Sequence, residues 1–425
     1  MAKEGRLWPR LLALAALCLL AYAPALSLPL FEDDYPLLSF SWQYGPPAAL
    51  GALWHTVYGV RATSIWLIWL LWHAFQLTPA AYHAASLALH IVNVWLVYAL
   101  ARAWTPMRPA AFWAAAFFAV AEGHQEAVIW FAANSELLMF MFGTAALLCW
   151  IRGRSLFALP LFALALISKE SAVVLVALFE LTDRPAPWKD RLLRLSSYAL
   201  LAALLAAMVF AGRDGNFRFS DGSFSLDAPF WLTWPRNFAR VLWPWGWLAA
   251  AAIFASGQLR EFRRAAGLAL AWIGISLLPY SFLTYSAQIP SRQTYLASAG
   301  LAFLVGLSLA GLLAGGARGT LGSRRLAAAA MALILAANVG YLWTKKRAQF
   351  IARAAPTDEL IHFARENSGP IWVQCFPRNN LIASEAVRVG AGRDPSILVW
   401  NAADARRRDA TAVFCYQEAK APGRR

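Results

Sequence analysis

The chain has 425 residues, of which 60% are hydrophobic and only 14% charged, against about 25% charged in a typical soluble domain. So much apolar surface does not fit inside one water-soluble core, which still needs a polar skin; a soluble enzyme, a disordered chain and a disulfide-stapled secreted module are excluded. The balance of 38 Lys+Arg against 23 Asp+Glu, a formal +15, has no nucleic-acid motif beside it and reads as basic loops held on the cytoplasmic side against anionic lipid.

A span needs about 20 apolar residues, because a helix rises about 1.5 Å per residue through about 30 Å of hydrocarbon. The first run, Leu11–Leu28, follows Lys3, Arg6 and Arg10 and leads straight into FEDDYP. It is expected to be retained as a span with its N-terminus inside rather than cleaved as a signal peptide. The loop between Asp34 and Pro79 is outer but not hydrophilic: Trp66, Trp69 and Trp72 recur at three-residue spacing. That stripe fits a helix lying in the interface, and a second interfacial helix is expected near Pro47–Val57.

Long apolar runs follow at Ala81–Ala103, Leu195–Ala211, Trp231–Ala255, Ala265–Tyr280, Thr294–Leu313 and Leu326–Trp343. Shorter runs at Ala110–Ala121, Leu137–Ile151, Leu156–Ile167 and Ala172–Leu181 pair into two hairpins with polar tips. One tip holds Glu122, His124, Glu126, Asn134 and Glu136, the other Ser168, Lys169, Glu170 and Ser171. A single span over Leu156–Leu181 would place Lys169 and Glu170 at the bilayer centre, at a few kcal/mol each, and would strand Arg184, Lys189, Arg191 and Arg194 outside. The Gly- and Ala-rich stretch Gly300–Gly316 reads as close helix packing.

The predicted fold is an all-α polytopic membrane protein of about eleven transmembrane helices, with interfacial helices in the first outer loop and a small C-terminal α/β domain. The boundaries are 1–344 for the membrane domain and 345–425 for the tail, with the N-terminus cytoplasmic and the C-terminus outside. In the tail, Thr357 with Asp358 and Glu359 marks a helix start, and IWVQCF, ILVW and TAVFCY read as strands. Cys375 and Cys415 are fifth in two of these; a bridge and two buried free thiols are both compatible with the sequence.

Glu32, Asp33 and Asp34 stand directly after the first span. Adjacent carboxylates repel and are partly desolvated there, which raises at least one pKa and makes a competent base. Arg61, His124, Glu126, Lys169, Glu170 and Arg292 then converge on the same face if the topology holds, and cations at that depth suit a phosphate or pyrophosphate head group. His90 and Asn93, spaced i, i+3, read as interhelical hydrogen-bonding groups, with His83 near them. There is no H-E-x-x-H, C-x-x-C or glycine-rich phosphate loop, so no dedicated metal cage or cofactor site is evident. Loose binding of Mg²⁺ or Mn²⁺ by Asp33 and Asp34 stays open.

These segments together (FEDDY, YHAASLALHIVNVWLVYAL, EGHQEAVIWFAANSELL, LISKESAVVLVALFE and IPSRQTYLASAG) resemble the GT-C superfamily of polyprenyl-phosphate-sugar glycosyltransferases, in its protein O-mannosyltransferase-like branch. The resemblance covers Leu11–Gly300. It implies a catalytic carboxylate at Asp33 or Asp34 that deprotonates an acceptor hydroxyl in an inverting displacement; no nucleotide-binding fold is needed, because the membrane presents the donor. It also implies that Lys169 and Arg292 lie near the donor phosphate. The implied partners are a polyprenyl-phosphate-linked sugar and a lipid, glycan or protein acceptor. The N-terminal run and the compact loops look bacterial, so the expected location is a bacterial inner membrane with the outer face periplasmic. The tail has no 34-residue helical repeat such as the TPR-bearing relatives carry, so a protein acceptor stays open. A lipid or glycan transporter and a non-catalytic assembly protein are the competing classes; against the transporter, no internal repeat is seen and the polar groups crowd one face.

Overall fold

The computed structural model describes residues 7–48, 56–105, 107–182, 187–215, 219, 222–255, 259–284, 290–315 and 321–417. Among the described residues six helices are long and apolar enough to cross a membrane: Leu7–Ser27, Pro79–Trp104, Phe131–Ile151, Trp188–Ala211, Arg260–Phe282 and Arg325–Glu366. The pair Phe230–Leu242 and Trp245–Ala255, bent by 68°, would make a seventh. Pro244 lies at that bend and has no N–H to carry the helix through. The other predicted spans are shorter helices: Arg108–Val120, Ser155–Leu166, Leu175–Thr182 and Ser298–Gly315. The chain is an integral membrane protein, and large apolar side chains such as Leu156, Leu193 and Phe254 face outward, where lipid replaces a core.

The chain breaks helix at Lys169, whose backbone is extended, so Leu156–Leu181 is not one span. The helix carrying the tryptophan stripe runs Thr56–Phe75 and is kinked at Arg61, with Trp66, Trp69 and Trp72 half-buried. The chain directly after the first span is itself helical, Asp34–Gln43. Most of the second expected interfacial helix, Pro47–Val57, lies outside the described residues.

Small residues let the central helices touch. Arg108–Val120 buries Ala110, Ala111, Ala114 and Ala115 and packs along Ser298–Gly315. A Cβ on Gly306 would fall on the Ala110 carbonyl oxygen, and one on Gly300 would meet the Ala269 carbonyl oxygen. Close packing is therefore what the Gly300–Gly316 pattern encodes.

The last apolar helix runs on well past its apolar stretch. Leu321–Tyr341 continues through a π-helical turn, Leu342–Lys346, into Arg347–Glu366. The expected helix start at Thr357 is thus corrected: Thr357 is buried in the interior of that helix, and Pro356 before it is tolerated without ending it. Position 344/345 falls within the same continuous helix. The three predicted strands do form, as β1 (Ile371–Cys375), β2 (Leu398–Val399) and β3 (Ala412–Cys415), in a parallel sheet of order β2-β1-β3. A shift in register after Val373 sets Cys375 opposite Cys415, and the two form a disulfide across a Cα–Cα distance of 4.5 Å. Ile361, Ala386 and Val389 of the tail pack with Leu30, Tyr35, Leu38, Tyr82 and Phe131, which seats the tail on the segment after the first span and its neighbours.

Gly306→Ala is expected to lower the unfolding midpoint in detergent, by about 1–3 kcal/mol for an overpacked contact. Gly340→Ala, on an open helix face, is expected to be neutral or to stabilise by up to about 1 kcal/mol. Equal effects at the two sites would refute the packing account.

Candidate active site

The turn after the first span is built by Asp34. Its Oδ2 accepts the Phe31 N–H at 2.9 Å and its Oδ1 accepts the Ala132 N–H at 2.7 Å. The side chain is completely buried. Burial pushes its carboxyl up to about 7, against the two N–H groups that favour the anion; the neighbouring Asp33 and Glu32 add to the rise. Asp34 therefore joins the first outer loop to the Phe131–Ala133 turn, and both its oxygens are occupied. Asp33, one residue earlier, is exposed at the N-terminus of Asp34–Gln43. Of the two acids expected to serve as base, Asp33 is the exposed residue and Asp34 the buried one.

Glu32 completes the turn from the other side. It has φ +50, a left-handed conformation that costs a non-glycine residue about 1 kcal/mol or more. Two arginines from the tail hold it there. Arg353 donates from Nε to Oε1 at 3.2 Å and from Nη2 to Oε2, and Arg378 Nη2 lies 2.9 Å from Oε1.

Glu126 and Arg292 meet. Glu126 Oε2 accepts the Arg292 N–H at 3.2 Å and lies 3.5 Å from its Nη1. Arg353 Nη1 lies 3.6 Å from Glu126 Oε1. Both guanidinium groups stack on Trp130, with ring-centroid distances of 4.8 Å for Arg292 and 4.7 Å for Arg353. A polar cavity of about 60 Å³ lies here, lined by Gln125, Glu126, Lys346, Gln349, Phe350 and Arg353.

Arg61, Lys169 and Glu170 form a second group. Arg61 grips Glu170 with Nε at 3.2 Å and Nη2 at 3.0 Å, and its Nη1 donates to Ser135 Oγ at 3.2 Å. Lys169 pairs with Glu136, and the Tyr280 hydroxyl donates to Glu136 Oε2 at 3.2 Å or to Ser171 Oγ at 2.9 Å. Lys169 is only 5% exposed. Burial lowers its ammonium to about 8, and Glu136 opposes the fall. Lys169 is thus not an open cation; it neutralises an acid that would otherwise be stranded.

The expectation for His124 is corrected. It is completely buried, its Nε2 is 2.6 Å from Ser298 Oγ, and its ring packs on Phe118 and Tyr295. Burial holds its imidazole well below the usual value. The helix Arg108–Val120 ends at Ala121, and the 3-10 turn Glu122–His124 that follows sets the His124 ring against His90 and Ser298. His90 donates from Nε2 to the Ala119 carbonyl at 3.2 Å, which leaves Nδ1 to accept the Tyr295 hydroxyl at 2.8 Å. Asn93 donates to the Leu137 carbonyl at 3.0 Å and to Tyr295 at 3.3 Å. The interhelical role of His90 and Asn93 is therefore what the structure shows, and His83 bonds the Leu28 carbonyl in the same way.

Sequence reasoning missed Arg353, Arg378, Tyr280 and the pairing of Glu136. Glu136 carried a signal, an acid at the mouth of an apolar run; the arginines lie in the tail and carried none. Among the described residues no group of three or more His, Cys, Asp and Glu side chains converges in a way that could hold a metal, since Glu32 and Asp34 point to different partners.

No family model matches the chain. It is 27% identical to Protein O-mannosyl-transferase Tmtc1 of Drosophila melanogaster, over 42% of this chain and 26% of that protein. Among solved structures it superposes on ArnT from Cupriavidus metallidurans bound to undecaprenyl phosphate, with TM-score 0.51, 14% identity, and 96% of this chain and 90% of that one covered. It also superposes on the oligosaccharyltransferase AglB from Archaeoglobus fulgidus in complex with an inhibitory peptide and a dolichol-phosphate, with TM-score 0.52, 12% identity, and coverage of 94% and 64%. The chain has the GT-C fold. It spans about a quarter of Tmtc1 and under two thirds of AglB. Within the GT-C fold, the acid turn and the segment Glu122–Glu136 are the parts that gather the charged groups described above.

Asp34→Asn leaves one of two buried N–H groups facing an NH₂, so it is expected to destabilise by about 1–3 kcal/mol, while Asp33→Asn leaves stability unchanged. The pH dependence has a definite sign. Between the ordinary value of 3.8 and about 7 the folded chain holds a proton at Asp34 that the unfolded chain releases, so stability falls as pH rises through that window. Thermal unfolding in detergent against pH should show this slope in the wild type and lose it in Asp34→Asn.

Proposed function

We propose that the protein is a membrane glycosyltransferase that moves a sugar from a polyprenyl-phosphate donor to an acceptor hydroxyl on a lipid, glycan or protein. The observation that carries the reading is the exposed Asp33 on a turn locked by Asp34, at the face where Arg292 stands over Trp130. The GT-C fold and the mannosyltransferase likeness support it, as do the lipid phosphates bound to ArnT and AglB.

In this reading Asp33 accepts the proton of the acceptor hydroxyl as its oxygen attacks the anomeric carbon. The bond from that carbon to the phosphate oxygen breaks, and its electron pair leaves with the polyprenyl phosphate, which inverts the sugar. Developing charge on the phosphate is met by Arg292, whose guanidinium is half-exposed and held flat against Trp130. Arg61, Glu170, Lys169 and Glu136 support the loops rather than touch the substrate, because each charge there is already satisfied. Eleven membrane crossings, a cytoplasmic N-terminus and a periplasmic tail in a bacterial inner membrane complete the proposal, with Asp33 and Arg292 periplasmic.

Membranes carrying Asp33→Asn should lose transfer from a synthetic polyprenyl-phosphate sugar by on the order of 10²-fold or more, at unchanged yield. Arg292→Met should raise the donor KM by about 10- to 30-fold. Wild-type transfer in both variants would overturn the assignment. A reporter active only in the periplasm, fused after residue 420, should be active; activity of a cytoplasm-only reporter there would overturn the orientation.

A further inference from the structure

One charged chain runs from the acid turn to the cation assigned to the donor. Glu32 adjoins Asp33; Arg353 bonds Glu32; the same guanidinium reaches Glu126; and Glu126 holds both the backbone N–H and the Nη1 of Arg292. Arg353 is supplied from outside the membrane bundle's outer loops, by the helix Arg347–Glu366 that continues the last span. Its guanidinium also lies over Phe31, Trp130 and Phe350, at 5.3, 4.7 and 5.5 Å from their centroids. The aromatic walls fix the plane of the fork, so the two bonds to Glu32 act as a two-point grip.

What this grip holds is a strained turn. Glu32 has φ +50, and a residue in that region stays there only when its surroundings over-determine it. Asp34 anchors the C-terminal side of the turn through Phe31 and Ala132. Arg353, with Arg378 beside it, anchors the N-terminal side. Asp33 lies between the two anchors. We infer that Arg353 is a positioning residue: the tail helix uses it to hold Glu32, and through Glu32 the placement of Asp33, while its contact with Glu126 ties that placement to the donor cation Arg292. The inference rests on the proposed role of Asp33 for its kinetic consequence, but not for its structural one.

The test uses the full chain in detergent, as wild type, Arg353→Met, Arg353→Lys and Glu32→Gln. Hydrogen exchange is followed at residues 31–36, with Pro79–Trp104 as an internal standard, and transfer kinetics are measured on the same samples. Arg353→Met should speed exchange at residues 31–36 by tenfold or more and leave Pro79–Trp104 unchanged. It should also lower kcat by roughly 10- to 100-fold, the size expected for a base displaced by about 1 Å, with donor KM within about threefold of wild type. Arg353→Lys keeps the charge without the fork and should fall between. Glu32→Gln should loosen the same residues from the other side of the pair, which gives a reading even where Arg353→Met yields no folded protein. Unchanged exchange at residues 31–36 in the folded variants overturns the inference. A kcat loss in Arg353→Met that Arg353→Lys does not lessen, with exchange raised throughout the protein, also overturns it. If Asp33→Asn retains transfer while exchange at residues 31–36 responds to Arg353, the base assignment has failed and the positioning of the turn stands.

Discussion

Asp34 holds two separate loops together with one carboxylate. By taking the Phe31 and Ala132 N–H groups, it fixes where the chain leaving the first span meets the turn that begins Phe131–Ile151. Everything charged at this face is arranged from that junction. Upstream, Glu32 is turned toward the tail and Asp33 is left outward. Downstream, Asn134 bonds Ser64, Ser135 bonds Arg61, and Glu136 bonds Lys169. An ionised group at this depth that loses its partner is expensive, so the pairing also determines which loop stands beside which.

The cations around Asp33 are therefore already engaged. Arg61 has Glu170, Lys169 has Glu136, and Arg292 and Arg353 share Glu126. A lipid phosphate would have to compete with these carboxylates, and the competition is least unequal at Arg292. Its Nη1 contact is long, at 3.5 Å, and stacking on Trp130 keeps the guanidinium in place while its partner changes. At Lys169 the exchange would strand Glu136 in a site only 1% exposed.

The tail is coupled to the membrane part by apolar packing as well as charge. Ile361 and Val389 join the core formed by Leu30, Tyr35 and Leu38 after the first span. The Cys375–Cys415 bridge ties β1 to β3 just before the segment bearing Arg378, which reaches Glu32. The continuous helix from the last span carries Arg353 to the same acid.

The sequence by itself determined the class of protein, the helical runs, the three tail strands and the small-residue packing along Ser298–Gly315, because these depend on local composition and periodicity. It also determined that the charged residues fall between the apolar runs rather than within them, since an ionised group at the bilayer centre is costly. It could not separate Asp33 from Asp34: the two are neighbours of one type, and the Ala132 N–H that buries one of them lies 98 residues away. It placed His124 among the open polar groups for the same reason, as the Ser298 that bonds it lies 174 residues away and Tyr295 beside it comes from the same distant segment. Thr357 read as a helix start because local cap chemistry was visible and the upstream helix that swallows it was not. The partners of Glu32 were decided only by the tertiary structure, because an ion pair between residues 32 and 353 depends on how the tail packs and leaves no local pattern.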